Sequence, residues 1–142
     1  MTIFFLPPYY YMLILLYVEF PKIGTIYYFM RQELRIFKAL SDWNRLRILK
    51  MLEVKPLCGC DIANVLDIVQ SAVSRHLKIL EDAELITHKR DGNYILYSLN
   101  NLHGSAIVIS QLELLRSLNK DPVITADRRK AATVDKCGTI RK

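Results

Sequence analysis

The stretch from Leu57 to Leu99 limits most strongly what this chain can fold into, because its hydrophobic period changes once from helical to strand-like. In its first part, apolar residues recur at positions i, i+4 and i+7, as Val73, Leu77 and Leu80. This spacing predicts an amphipathic helix that buries one stripe. A shorter helix, Cys60 to Leu66, is predicted before it, and Asp67-Ile68 form the turn between the two helices.

Two strands are predicted after the longer helix. Ile86 to Lys89 and Tyr94 to Leu99 have strand character, and Asp91-Gly92 between them is a hairpin signal. The order helix, turn, helix and β-hairpin defines a winged helix-turn-helix, so the predicted fold class is mainly α with a β-hairpin wing. A helix of this kind fits the major groove of DNA, and a basic hairpin beside it can reach the adjacent backbone.

Polar and basic side chains cover the face of the longer helix that lies opposite its apolar stripe. We predict that three of them read bases, namely Gln70, Ser71 and Ser74. We predict that four basic residues of this helix and of the wing contact phosphates, namely Arg75, Lys78, Lys89 and Arg90. The net charge of +6 agrees with a nucleic-acid partner, and all of this excess lies in residues 30–142.

Four segments resemble the ArsR/SmtB family of metal-responsive repressors, and they occur in the family's order: SDWNRLRILKML, LCGCDIANVL, VQSAVSRHLKILEDAELI and KRDGNYILYSL. The likeness covers roughly residues 33–118. Within it, LCGCD resembles the arsenite-sensing branch, whose motif places Cys-x-Cys at the start of the first helix of the helix-turn-helix. The resemblance implies a cytoplasmic, homodimeric repressor that binds operator DNA and is released when As(III) or Sb(III) binds Cys58 and Cys60.

The chain departs from the family pattern at three residues that end or begin helices. The family usually has Gly at the positions of Asp67 and Glu84, and Ser at the position of Val69. Asp tolerates a left-handed backbone moderately well, whereas Glu does so less readily. Val69 cannot supply the side-chain cap of a Ser, which is a loss of about 1 kcal/mol.

The chemistry of the predicted sensor rests on Cys58 and Cys60, because thiolates prefer soft cations. In a regular helix, residues at i and i+2 point about 200° apart. We therefore expect that ion binding distorts the start of the first helix, which Gly59 makes easier. This distortion would displace the longer helix that follows, which is the recognition helix of the motif. Trivalent arsenic takes three sulfurs, and either Cys137 or a small-molecule thiol is the candidate for the third. The sequence leaves open whether arsenic, antimony or a softer divalent metal is preferred.

At 142 residues the chain has the length of one domain with tails. We divide it into a hydrophobic extension at 1–29, a DNA-binding and dimerisation domain at 30–118 and a basic, mobile tail at 119–142. A last helix, Ser105 to Leu118, is predicted within the second part. Its apolar residues are expected to pair with a second subunit through Leu112, Leu115 and Leu118. The alternative is that this helix packs on its own core.

Residues 1–18 carry no charge, but Pro7-Pro8 and the tyrosines that follow interrupt the hydrophobic run. We interpret this extension as the product of a misplaced start, with Met30 as the working initiator, or as a membrane anchor. A membrane is therefore a partner only if residues 1–29 are a real anchor.

Two further functions fit the cysteine pair. One is a redox switch through oxidation of Cys58 and Cys60, and the other is a thiol enzyme. The sequence supplies no obvious base, substrate pocket or cofactor motif, so we expect no enzymatic activity and no required cofactor.

Overall fold

The computed structural model describes residues 30–100, 113 and 115–134, and the chain divides into two units, Met1–Arg35 and Ile36–Lys142. In the first unit, residues 30–35 are helical. The predicted N-terminal extension at 1–29, most of the predicted helix from Ser105 to Leu118, and Cys137 lie outside the described residues.

The second unit begins in a helix, α1 (residues 36–40). The elements that follow are α2 (Trp43–Leu52), β1 (Leu57–Cys58), α3 (Gly59–Leu66), α4 (Gln70–Asp82), β2 (Ile86–Asp91) and β3 (Tyr94–Leu99). Residues 113, 115 and 116 are helical, and a 3-10 helix (Ser117–Lys120) leads into α5 (Pro122–Thr133). The helix-turn-helix is therefore α3 and α4, and the wing is β2 and β3, as predicted.

The three strands form one antiparallel sheet in the order β1-β3-β2. The hairpin register pairs Ile86 with Leu99 and Asp91 with Tyr94, and Gly92 has a φ of 63° in the turn. The short strand β1 was not predicted from the sequence. It pairs Leu57 with Tyr97 and Cys58 with Leu96 on the other side of β3.

The core forms where the helical stripes meet the inner side of the sheet. Val73, Leu77 and Leu80 of α4 are buried, which confirms the predicted stripe. They join a cluster with apolar residues of α2, α3, β1 and β2, among them Ile48, Leu49, Leu57, Ile62 and Ile86. The solvent face of α4 is thereby turned away from the core.

The residues that end the two helices of the motif have the left-handed backbone expected of them. Asp67 has a φ of 56° and Glu84 a φ of 58°. After α4, the amide of Glu84 donates to the carbonyl of Glu81 at 2.8 Å, and the amide of Leu85 donates to that of Leu80 at 3.0 Å. These two bonds form a Schellman motif around a residue that is usually Gly.

The prediction of a mobile tail at 119–142 is wrong for residues 122–133, which form α5. Asp121 caps this helix by accepting from the amides of Val123 at 2.9 Å and Ile124 at 3.1 Å. The buried residues of α5 are Ile124, Asp127 and Ala131. An aspartate and an alanine in this stripe give little hydrophobic signal, so the sequence pattern looked weak.

A largely buried ion pair with Arg47 holds Asp127 in place. Arg47 of α2 donates to both carboxylate oxygens, from Nε at 2.6 Å and from Nη2 at 3.0 Å. The Asp127 side chain is 3% exposed and that of Arg47 15%. The hydrogen bond with Asp127 raises the pKa of Arg47 above its usual value. This pair holds α5 on α2 across 80 residues of sequence.

We expect Asp127→Asn to lower the free energy of unfolding by about 3 kcal/mol, because it leaves a mostly buried guanidinium without its counter-charge. Urea unfolding followed by circular dichroism measures the change. The matched control is Asp82→Asn, which removes an exposed partner of Lys78 and should change stability little. An equal, small effect of the two variants would contradict a stabilising role for the pair.

Candidate metal centre and DNA-binding surface

Cys58, Cys60 and Asp61 come together where β1 ends and α3 begins. Cys58 is the last residue of β1 and the N-cap of α3, with an extended backbone at φ −86° and ψ 162°. Cys60 and Asp61 lie in the first turn of the helix. One ligand atom from each of the three residues lies within 4.8 Å of the other two. The geometry therefore offers two sulfurs and one carboxylate oxygen to a single ion.

The prediction that the two cysteines diverge by about 200° is wrong, because it placed both in a regular helix. Cys58 lies before the helix and is extended, whereas Cys60 is helical. The chain turns between them at Gly59, the first residue of α3. The two sulfurs consequently approach each other without any unwinding of α3.

Asp61 is a member of the site that the sequence analysis did not single out. It is 2% exposed. Its Oδ2 accepts from the Cys58 Sγ at 2.8 Å and from the Cys58 amide at 3.4 Å, which closes a capping box at the start of α3. Its Oδ1 is buried without a hydrogen-bond partner in the described part of the chain. The available signal was the Cys-x-x-Asp spacing, which is that of a capping box.

The electrostatics of this site favour anionic sulfur in one respect and oppose it in another. The N-terminus of α3 carries partial positive charge, which lowers the pKa of thiols placed there. The adjacent carboxylate of Asp61 opposes this effect. Cys58 is a thiol, whereas Cys60 belongs to a disulfide bond in this structure. Binding of an ion by the sulfurs of both residues therefore requires reduction of that disulfide.

The predicted base-reading and phosphate-contacting residues of α4 all lie on its exposed face, namely Gln70, Ser71, Ser74, Arg75 and Lys78. The Ser74 hydroxyl donates to the carbonyl of Gln70 at 3.0 Å. Lys78 Nζ donates to Asp82 Oδ1 at 2.6 Å, and this bond raises the pKa of Lys78. Part of the charge that Lys78 would present to a phosphate is therefore neutralised within the helix.

The wing presents Lys89 and Arg90, both exposed, on β2. Arg90 Nε donates to the carbonyl of Gly92 at 3.2 Å across the hairpin turn. His88 Nδ1 forms a hydrogen bond with Glu81 Oε1 near the end of α4. Burial, followed by the charge of Glu81, raises the pKa of Tyr97 in β3. The contact between His88 and Glu81 connects the wing to the recognition helix α4, and it was not predicted from the sequence.

Of the three leucines predicted to form a dimer surface, Leu112 lies outside the described residues. Leu115 is 6% exposed within one subunit and belongs to its core, and Leu118 is half-buried against that core. Leu115 and Leu118 also line an open groove of about 360 Å³ together with Phe37, Leu40 and Leu46. The apolar side of this groove is accessible at Phe37, which is 59% exposed.

Within the described ranges, no helix is long and apolar enough to cross a membrane.

The chain is similar to known bacterial regulators over the same region. Residues 42–88 match the family model described as bacterial regulatory protein, arsR family. The arsenical resistance operon repressor of Staphylococcus aureus is 44% identical over 85 residues, which cover 60% of this chain and 81% of that protein. A Bacillus subtilis (strain 168) protein of the same description is 38% identical over 77 residues, with coverages of 54% and 73%.

The fold is also similar to that of reduced HlyU from Vibrio cholerae N16961, with a TM-score of 0.54 and 28% identity. The match covers 66% of this chain and 95% of that chain. Sequence and structure thus agree on the helix-turn-helix and the wing, and they confirm the resemblance that the four segments indicated. The chain belongs to the arsR family of bacterial regulatory proteins.

Proposed function

We propose that this protein is a cytoplasmic, homodimeric transcriptional repressor that is released from operator DNA when arsenite or antimonite binds Cys58 and Cys60. The observation that carries this proposal is the clustering of two sulfurs within 4.8 Å at the start of α3. This helix directly precedes the recognition helix α4. The S. aureus and B. subtilis relatives, both described as arsenical resistance operon repressors, support arsenite as the effector.

Binding of arsenite is a ligand exchange without a change of oxidation state. Two reduced thiols replace two hydroxide ligands of arsenious acid, so that two As–S bonds form and two waters leave. The proton of the Cys58 thiol, which now points at Asp61 Oδ2, departs in this reaction. The hydrogen bond from this thiol to Asp61 Oδ2 is lost with the proton, so that of the two hydrogen bonds from Cys58 to Asp61 only the one from the backbone amide remains at the start of α3.

The sheet supplies a second path from the sensor to the DNA-binding surface. Cys58 pairs with Leu96 in β3, and Leu96 pairs with Lys89 in β2. The sensor cysteine and a basic residue of the wing therefore lie in one row of the sheet. A displacement of Cys58 towards a bound ion acts on β3 directly, which moves the wing relative to the backbone of bound DNA.

We propose Cys137 as the third sulfur, contributed by the same subunit. Residues 135–142 lie outside the described residues, but the position of Val134 supports this assignment. Lys55 Nζ donates to the carbonyls of Ala132, at 3.3 Å, and Val134. The end of α5 is thereby held beside the segment that leads to Cys58. Cys137 follows Val134 by three residues in the sequence, which makes it the candidate for the third ligand.

A redox switch is the second candidate function, and the disulfide at Cys60 favours it. In this alternative, oxidation of Cys60 changes DNA affinity without a metal. Diamide or peroxide would then release DNA as arsenite does, and a dithiol would reverse the release. Under the proposed function, the fully reduced protein responds to arsenite alone.

For the DNA contacts, we propose that Gln70, Ser71 and Ser74 read bases from the exposed face of α4. Four basic residues contact phosphates, namely Arg75, Lys78, Lys89 and Arg90. We expect Lys78 to contribute less than Arg75, because Asp82 already accepts a hydrogen bond from it at 2.6 Å.

Cys58→Ser and Cys60→Ser should each retain DNA binding and lose release by arsenite, because each removes one sulfur of the pair that must hold the ion at the start of α3. Serine is a preferred N-cap, so Cys58→Ser should fold normally. Fluorescence anisotropy of labelled DNA, measured with reduced protein and rising arsenite, tests both variants. If both variants release DNA at the arsenite concentration that acts on the wild type, the sensor hypothesis is wrong.

Cys137→Ser tests the third ligand. Loss of the arsenite response in this variant would identify Cys137 as the third sulfur, whereas a normal response would show that Cys58 and Cys60 suffice.

Lys89→Ala and Arg90→Ala should weaken binding to all DNA sequences alike. The slope of log K against log salt should become shallower by about one unit for each lost phosphate contact. Titrations at several salt concentrations measure this slope. Lys130→Ala removes an exposed charge from α5 and should leave the slope unchanged. A wild-type slope in both wing variants would remove the wing from the DNA interface.

We propose that the homodimer forms over the groove lined by Phe37 and Leu118; Leu112, which was also predicted to take part, lies outside the described residues. Leu115 is buried in its own subunit, so its replacement would test folding rather than assembly. Phe37→Glu should instead give folded monomers with weakened operator binding, because operator contact by two recognition helices requires a dimer. Sedimentation velocity measures the assembly. The control is Val123→Glu, which changes a residue that is 42% exposed on α5 and should remain dimeric. If Phe37→Glu also remains dimeric, the dimer surface does not include this groove.

A further inference from the structure

Val69 is the most exposed large apolar side chain in the described part of the chain, at 69%. It is the N-cap of α4, with φ −64° and ψ 142°, and it makes no side-chain cap hydrogen bond. The backbone of the cap is intact, since the Val69 carbonyl accepts from the amides of Ala72 at 2.9 Å and Val73 at 3.3 Å. The side chain therefore contributes nothing to the cap and is barely buried.

Folding alone does not explain a valine at this position. Ser, Thr, Asp and Asn all stabilise a helix N-terminus better than an aliphatic residue does. Burial cannot compensate for the missing cap, because most of the side chain remains in water. An apolar group that lowers helix stability and is exposed points to a contact made with another molecule.

The place of Val69 in the motif identifies that molecule as DNA. In helix-turn-helix proteins, the N-terminal residues of the recognition helix contact the edges of bases. Val69 immediately precedes Gln70 and Ser71, which are exposed on the same helix. Valine has no donor or acceptor in its side chain. Its favourable contact in the major groove is the 5-methyl group of thymine, which distinguishes T from the other bases.

We infer that Val69 is a specificity-determining residue that reads a thymine methyl group next to the bases contacted by Gln70. This inference rests on the proposed binding of operator DNA by α4. It assigns sequence discrimination to a residue that can form no side-chain hydrogen bond with a base. Replacement by serine would strengthen the helix cap and remove the preference for thymine.

The test uses the reduced full-length protein and DNA duplexes selected by that protein from a random pool. Each thymine in the selected site is replaced singly by deoxyuridine, which lacks only the methyl group. At one thymine in each half-site, the wild type should bind deoxyuridine DNA about fourfold more weakly, the effect of removing one methyl group from an apolar contact. Val69→Ser should bind the two DNAs equally at that position.

Two further variants make the result specific. Val69→Ala shortens the side chain and should give an intermediate ratio, whereas Val123→Ser on α5 should keep the wild-type ratio. A double-mutant cycle compares the affinities of the wild type and of Val69→Ser for thymine and deoxyuridine DNA. Effects of the methyl group on DNA shape alone cancel in this comparison, since they appear equally with both proteins. Circular dichroism should show Val69→Ser folded and at least as stable as the wild type.

Distinct outcomes overturn distinct claims. If no thymine shows a deoxyuridine effect, or if Val69→Ser keeps the same effect, Val69 does not read a methyl group. If, in that case, Gln70→Ala still relaxes base preference, the proposed DNA-binding function stands and only this inference fails. If the reduced protein selects no DNA from the pool, both the inference and the proposed function are wrong.

Discussion

The double role of Cys58 is the constraint on which the cysteine cluster and the wing both depend. Its extended backbone lets it pair with Leu96 in the sheet and, at the same residue, cap α3 through Asp61. A residue in regular helix could do neither. Because the sheet continues from Leu96 to Lys89, a change in the bonding of one sulfur acts on the helix-turn-helix and on the wing together.

Charged residues that are shielded from water determine how the C-terminal part is attached. Arg47 and Asp127 are separated by 80 residues, so no local sequence pattern indicates that they pair. Once α5 lies on α2, the pair is stable because each charge has its partner and little competing water. Lys55 then holds the end of α5 through the carbonyls of Ala132 and Val134. Val134, the last residue that the structure describes, is thus held beside Lys55.

Much of the fold followed from local patterns. The apolar spacing at Val73, Leu77 and Leu80 predicted the recognition helix, and Asp91-Gly92 predicted the hairpin. Errors arose where one residue changes the geometry. Regular helix geometry was assumed for both cysteines, but α3 begins at Gly59 and Cys58 before it is extended. The extended backbone of Cys58 brings the two sulfurs together. Helix boundaries are set by hydrogen bonds within a turn, and spacing alone seldom determines them.

The sequence by itself determined the helix-turn-helix, the wing and the exposed face of α4, because hydrophobic periodicity and turn residues act over a few neighbours. It also supplied the cysteine pair. Only the tertiary structure decided that Asp61 lies with the cysteines, that β1 joins Cys58 to the wing, and that residues 122–133 form a docked helix. Each of these depends on contacts between distant segments, whose free energy becomes available only when the chain has closed the loops between them.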